Sequence, residues 1–486
     1  MPSWLKVVTW VASLALLSAV VFAGYWFIRL QSNLSTAPLT AGTKTAGKID
    51  EASDRMQILI LGSDTRDGAN AEYGNADDSS GYGQSDVMMM MDISADNSRV
   101  SVVSFPRDLL VDLPECTDQK TGITYPARRG AMINEAMAEA GVGCAVDTVN
   151  KITGLEVDHF MMADFKAVTE LSKAVGGVDV CVSDAVYDPD SRLRLPAGTS
   201  AVEGEMALAW LRSRHAFEDG GDLGRIKAQQ AFLSSLTRKV KDDGTLSNPA
   251  RVLNIADVVT SNLTLDEGFA SPLALVKVGT RLKDIDISKV AFVAVPTGPA
   301  ALDPNRLELA QPGASQLFAA LREDVDLTDP TGTASPTPTG EATPGPSTTE
   351  TAPVEPPPAP AYDKALQPVT VANGSGVATR YQEIAGALIS GGFTQLGEAA
   401  AQPVDQTVVY YSPEFADVAA DVAAVFGIPE AQLIASSSVY GVQVYVGSDF
   451  TSGTAYGAVA LPPDVVNQTA SDVVCQTVNP FLIDRG

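Results

Sequence analysis

The feature that most restricts this chain is the run from Val7 to Ile28, 22 consecutive residues without a charge. As an α-helix it covers about 33 Å at 1.5 Å per residue, enough for a bilayer core of ~30 Å. Trp4, Trp10, Tyr25 and Trp26 lie toward its ends, where amphipathic rings favour the membrane interface. The run is long for the apolar part of a signal peptide and no small-residue cleavage site follows it, so residues 1–30 read as an uncleaved anchor. Lys6 precedes the run and Arg29, Lys44 and Lys48 follow it, so charge alone sets no orientation. Residues 31–54 are small and polar, a juxtamembrane spacer. Within them Gly42–Lys48 imitates a phosphate loop, but Ile49 stands where Ser or Thr would hold Mg²⁺ and no strand precedes it, which excludes that reading.

Cysteine usage bears on the side of the membrane. Cys116, Cys144, Cys181 and Cys475 form an even set without metal-ligand spacing, which suits disulfides in an oxidising, extracytoplasmic setting. Three pairings are open, with Cys116–Cys144 the most local, and four free thiols are the alternative. With 33 basic against 59 acidic residues, the chain does not present a general surface for nucleic acid, although a local cationic pocket is compatible with that balance.

Such a pocket is suggested by Leu208–His215, with Arg212 and Arg214 two apart after an apolar run. On an extended strand end their guanidiniums would share one side. Gly220-Gly221 and Gly224 permit a tight turn, after which Arg225 and Gln229 share a helix face at i, i+4. Three arginines and an amide converging on one place suit a phosphate or two linked phosphates, because guanidiniums grip oxyanions through several N–H donors.

Further upstream, Met56–Leu61, Met88–Met91 and Val100–Phe105 read as successive buried strands. They present Asp64, Asp86 and Arg107 near their ends. Alone, each residue is as well explained by a turn, a solvated acid or a surface pair. Together, two carboxylates and an arginine beside the arginine fork describe Mg²⁺ with pyrophosphate, since Mg²⁺ takes one or two protein carboxylates and completes its shell with water and phosphate oxygens.

Alternating helices and strands continue to about residue 325, giving an α/β domain over 55–325 with a central sheet flanked by helices. Residues 326–364 are rich in Pro, Thr, Ser, Gly and Glu and read as a disordered linker. Residues 365–450 form a second, small α/β domain, in which Asn373–Gly376 is a plain turn rather than a phosphate nest. Residues 451–486 read as an irregular tail.

The blocks Leu59–Arg66, Gln84–Met88, Ser104–Asp108, Ile133–Ala136, Val175–Val178, Arg212-Ser213-Arg214 and Asp222-x-x-Arg225-x-x-x-Gln229 resemble, in order, those of the LytR-CpsA-Psr family. The second domain resembles the C-terminal domain often attached to such proteins. The resemblance implies a membrane-anchored, extracytoplasmic, Mg²⁺-dependent phosphotransferase. Its donor would be a polyprenyl-pyrophosphate-linked glycan and its acceptor peptidoglycan, joined by a phosphodiester. By position, Asp64 and Asp86 would lie at the metal, and Arg107, Arg212, Arg214, Arg225 and Gln229 would hold pyrophosphate oxygens. Asp222 would position the arginines or help with proton transfer. Many relatives carry a Lys two before the Asn of the Ile133-Asn134 block, where this chain has Met132. Two rival functions remain open on the residues: a non-catalytic regulator that binds the lipid pyrophosphate, and a polyprenyl pyrophosphatase. The sequence does not locate a slot for the prenyl chain.

Overall fold

The protein is represented by a computed structural model that describes residues 2–41, 55–66, 68–73, 79, 81–242, 248–301, 303–328, 362–377, 380–404, 406–450, 456 and 466–484. The chain divides into two compact units, Met1–Thr328 with Pro462–Gly486, and Asp329–Leu461. The Gly42–Lys48 segment and residues 329–361 of the expected linker lie outside the described residues.

The first unit begins with α1 (Ser3–Asn33), long and apolar enough to cross a membrane. The described end of the expected spacer, residues 35–41, pairs and packs with the unit. Strand β1 (Ser35–Ala37) begins two residues after α1, and Leu39, Thr40 and Ala41 are buried. The Ala41 N–H donates to Asp147 at 3.0 Å. Small polar residues look like spacer by composition, yet they are what a chain needs to pass closely over another element. A Cβ on Gly143 would stand 2.5 Å from this segment.

The central sheet adds β2 (Met56–Ser63), β3 (Ser85–Ile93), β4 (Val100–Phe105), β5 (His159–Ala163), β6 (Leu263–Asp266) and β7 (Val290–Ala294). β2 to β4 are nearly continuous apolar runs because both faces of the sheet are covered. Between β5 and β6 the chain forms α2 (Phe165–Ala174), α3 (Glu205–Arg212), α4 (Asp222–Asp242) and α5 (Pro249–Asn262). An Asp164 side chain caps α2 by accepting the Ala167 N–H, and Asn248 caps α5. Two disulfides, Cys116–Cys144 and Cys181–Cys475, use all four cysteines.

The second unit is a five-stranded sheet of β8 (Val369–Asn373), β9 (Leu396–Ala399), β10 (Val408–Tyr411), β11 (Leu433–Ala435) and β12 (Val442–Val446), in the order β9-β8-β12-β10-β11. Helices α6 (Arg380–Ser390) and α7 (Ala416–Phe426) pack on it around Ile384, Leu388, Val422 and Phe426. At Asn373–Gly376 the Asn373 side chain accepts the Ser375 hydroxyl at 2.6 Å, the turn read from the sequence.

The expectation of an irregular tail is corrected. Strand β13 (Val466–Thr469) returns to the first unit and pairs antiparallel with β7, completing an eight-stranded sheet in the order β1-β6-β5-β2-β3-β4-β7-β13. The segment is too polar to announce itself as a strand. Its place is set by an open sheet edge that lies far away in sequence.

Candidate active site

β2 runs antiparallel to β3, and β3 antiparallel to β4, so the end of β2, the start of β3 and the end of β4 come together at one margin of the sheet. Asp64, Asp86 and Arg107 meet there. Gly83, at φ +69°, lets the connecting loop press onto Asp64; a Cβ at that position would stand 2.8 Å from the carboxylate. Asp64 Oδ1 accepts the Ser79 hydroxyl and the Gln84 N–H, each at 2.7 Å.

Arg212 and Arg214 arrive from above the sheet, and not on a strand. Arg212 is the last residue of α3, and Ser213 turns the chain out of the helix at φ −63°, ψ 119°. α3 has only eight residues and buries Ala207 to Trp210 on several sides, so its apolar run has no visible helical period. The convergence of the two arginines survives this correction. Arg212, Arg214, Asp64 and Asp86 line one cavity of about 280 Å³, together with Arg66, Asp188, Asp190, Ser191, His215 and Phe165.

Asp86 is the hub of the charge cluster. Arg107 Nη1 donates to it at 2.8 Å, Arg214 Nη2 lies at 3.3 Å and Arg225 Nη1 at 3.8 Å. Burial pushes its carboxyl up, but Arg225, Arg214 and Arg107 outweigh burial and hold it below the ordinary carboxylate range. Arg107 and Arg225 do not line the cavity themselves; they contact Asp86, which does. Asp222 ties the two together: Oδ2 accepts the Arg107 backbone N–H at 3.1 Å, and Oδ1 lies 2.5 Å from Arg225 Nη2. Burial raises the Asp222 carboxyl above its ordinary value, with Arg225 opposing. Its contacts fit the arginine-positioning role.

Arg212 differs from its neighbours. Its guanidinium lies over the Phe165 ring at 4.5 Å, and among the described residues no carboxylate pairs with it. Burial lowers its pKa, and Arg66 lowers it further. Gln229 lines a separate, apolar chamber and not the charged cavity. Its amide donates to the Leu211 carbonyl at 3.3 Å and so holds the end of α3 to α4. Helical spacing from Arg225 correctly put the two residues on one face, but that face is buried.

Sequence reasoning missed Arg66, Asp188, Asp190 and Ser191. Arg66 could have been found from its place two residues past Asp64. Asp188 and Ser191 are joined to the site by tertiary structure alone: Asp188 Oδ2 accepts the hydroxyls of Ser213 at 2.6 Å and Ser191 at 2.7 Å, fixing the turn between the two arginines.

A second cavity of about 340 Å³ lies between the sheet and α2, α4 and α5. It is almost wholly apolar, with Ile60, Val87, Met161, Leu211, Phe232 and Ile255 among its walls. The same elements line both cavities. β2 contributes Gly62 to the apolar one and delivers Asp64, the residue after its end, to the charged one, β3 contributes Val87 and Asp86, α3 Leu211 and Arg212, and α2 Val168 and Phe165.

This α/β unit sets an arginine-walled cleft against an apolar chamber. The comparisons place it more closely. Residues 25–323 match the LytR_cpsA_psr family and residues 367–450 the LytR cell envelope-related transcriptional attenuator domain. The chain belongs to the LytR_cpsA_psr family. It is 30% identical over 317 residues to the cell wall biosynthesis protein LcpA of Corynebacterium glutamicum, which covers 61% of this chain and 60% of that protein. It is 26% identical over 294 residues, 58% of this chain and 84% of the relative, to the polyisoprenyl-teichoic acid–peptidoglycan teichoic acid transferase TagT of Bacillus subtilis. Among solved structures, the LytR-Csp2A-Psr enzyme from Actinomyces oris aligns with a TM-score of 0.44 at 20% identity, covering 60% of this chain and 96% of that one. The chain thus spans three fifths of the length of LcpA.

Proposed function

We propose that the protein transfers a cell-wall glycopolymer from a polyprenyl pyrophosphate carrier to peptidoglycan, forming a phosphodiester link, with the catalytic unit outside the membrane and α1 as its anchor. The observation that carries this reading is the adjacency of the charged cavity and the apolar chamber, walled by the same four elements. A polyprenyl pyrophosphate has the matching division: an apolar chain worth roughly 0.8 kcal/mol per buried CH₂, and a diphosphate head. TagT, named for this transfer, and LcpA, named for cell wall biosynthesis, support the same assignment.

In the reaction, a hydroxyl of the acceptor sugar attacks the phosphorus nearer the glycan. The new P–O bond forms as the bond to the bridging oxygen breaks, polyprenyl phosphate departs with the electron pair, and the hydroxyl proton passes to solvent or to a nearby carboxylate. Arg212 and Arg214 line the charged cavity and meet the phosphate oxygens. Arg107 and Arg225 hold Asp86 ionised and fixed. Stabilisation of the charge that builds up on the phosphoryl oxygens is the large term in such transfers. Asp64 and Asp86 offer hard oxygen donors on one cavity, a set that fits Mg²⁺ with water and phosphate completing the shell. Bound there, the ion would neutralise diphosphate charge as a Lewis acid.

The test uses the full chain in detergent with a synthetic polyprenyl-pyrophosphate disaccharide, a peptidoglycan fragment and Mg²⁺. Linked product that disappears on chelation and returns with Mg²⁺ is expected. Release of sugar phosphate alone would make the protein a pyrophosphatase. Binding without turnover would make it a regulator.

A further inference from the structure

The loop Ser213–Gly221 carries Arg214 into the charged cavity and hands the chain to α4, where Asp222 and Arg225 begin the helix. Arg214 itself does little to fix its own position. It is nearly half exposed, and its bonds to Asp86 are long, 3.3 and 3.4 Å. Its place is therefore set by the backbone beneath it, and the partners of that backbone come from the far end of the chain. The Glu218 N–H donates to the Thr477 carbonyl at 2.9 Å, and the Asn479 N–H donates to the Ala216 carbonyl at 2.8 Å. Asn479 Nδ2 donates to the His215 carbonyl at 2.9 Å, across a sequence separation of 264 residues. Asn479 Oδ1 is taken by the Phe481 N–H at 3.1 Å, which orients the amide so that its donor faces the loop.

The segment that supplies these groups is itself held on its other side. Gln476 exchanges backbone hydrogen bonds with the end of the strand at Val178–Val182: its N–H donates to the Cys181 carbonyl at 2.9 Å and its carbonyl accepts the Ser183 N–H at 3.0 Å. The Val478 N–H donates to Ser183 Oγ at 3.1 Å, and Cys475 is bonded to Cys181. Val478 and Asn479 are buried, and Val478 packs in the cluster that contains Trp210 and Phe217. The returning tail thus lies as a rail between a disulfide-fastened strand and the arginine loop. Loops whose peptide groups lack such partners open at low free-energy cost, and a displacement near 1 Å at a reacting group can cost about a hundredfold in rate.

We propose that Gln476–Asn479 is a positioning element of the arginine loop, and that Asn479, through the His215 carbonyl, is the positioning residue that sets Arg214. This rests on the function proposed above. Asn479→Asp keeps the size of the side chain and the acceptor for Phe481, but turns an oxygen toward the His215 carbonyl. In the full-length protein this variant is expected to lower kcat for transfer about tenfold or more, while KM for the long-chain donor moves less than about threefold because the apolar chamber still holds the lipid. Affinity for inorganic pyrophosphate, which has no lipid to anchor it, falls at least about threefold when measured well below the variant's thermal midpoint, which itself drops because a buried carboxylate now faces a carbonyl. The Cys181→Ser/Cys475→Ser double variant should show the same pattern more weakly, since β13 and the hydrogen bonds still hold the tail. Wild-type kcat and wild-type pyrophosphate affinity in both variants would overturn the proposal. If the wild-type chain performs no transfer, the function reading falls instead, and an unchanged or weakened pyrophosphate affinity in Asn479→Asp still decides whether the tail sets the loop.

Discussion

Strands β2, β3 and β4 carry a charged cluster at each end, and the two are built on different terms. Where β2 begins, Arg55 holds Asp92 through Nε at 2.8 Å and Nη2 at 2.7 Å, while its Nη1 donates to the Arg322 carbonyl. Beside it Arg99 pairs with Asp324 at 2.8 Å. Each guanidinium there meets an acid at full contact. At the opposite margin the arginines share Asp86, and the Nε atoms of Arg107 and Arg225 are buried without a hydrogen bond among the described residues. Arg212 has an aromatic face where Arg55 has a carboxylate. The first arrangement closes a sheet. The second has a cavity, and it is the guanidiniums of Arg212 and Arg214, which line it, that keep donors for a guest. Residue types alone would not separate the two; the degree of mutual satisfaction does.

The contrast can be broken experimentally. The largest expected effect is on stability at the closed end: Arg55→Ala leaves a buried Asp92 without its partner and should cost about 3–5 kcal/mol in urea unfolding, with turnover per folded molecule unchanged. At the open end Arg214→Ala should do the reverse, lowering transfer roughly 10²–10³-fold while stability shifts by no more than about 0.5 kcal/mol. Equal losses of stability in both variants would erase the distinction. A smaller effect is expected from Val87→Phe, which fills the apolar chamber beside Asp86. KM for a long-chain donor should rise about tenfold and that for a short-chain analogue should hardly move. Similar KM changes for both donors would place the lipid elsewhere.

The smallest effect concerns pH. The folded-state pKa of Asp86 lies below its ordinary 3.8, so its contribution to stability is fully present above that value and is lost as pH falls through the lower one. The contribution of Asp86 to pyrophosphate affinity should accordingly stay constant from pH 7 down to about 4, so that the wild type and Asp86→Asn follow parallel profiles there, the ligand's own protonation acting on both alike. A decline centred near pH 6 that disappears in Asp86→Asn would show that the three arginines do not dominate this carboxyl.

Much of the first unit was legible because its strands are buried on both faces, which makes β2 to β4 near-continuous apolar runs with polar residues thrown to their ends. Asp64, Asp86 and Arg107 could be brought together on that ground alone. Only the end of α3, the apolar run before Arg212, reads as a strand, because the helix is short and enclosed and its apolar residues show no period. Gln229 was assigned to the ligand because spacing gives a face and not what the face meets. The tail was illegible in a different way. Val466–Thr469 is a strand only because β7 offers it an edge, and Asn479 is significant only because His215 lies beneath it, relations that depend on contacts hundreds of residues apart.

The second unit is an insertion, not an appendage, since the chain departs after Thr328 and comes back at β13, where Cys475 is covalently closed onto Cys181. A protease that severs one peptide bond within residues 329–361 would consequently detach nothing. The nicked molecule would still travel as a single species until its cystine is reduced.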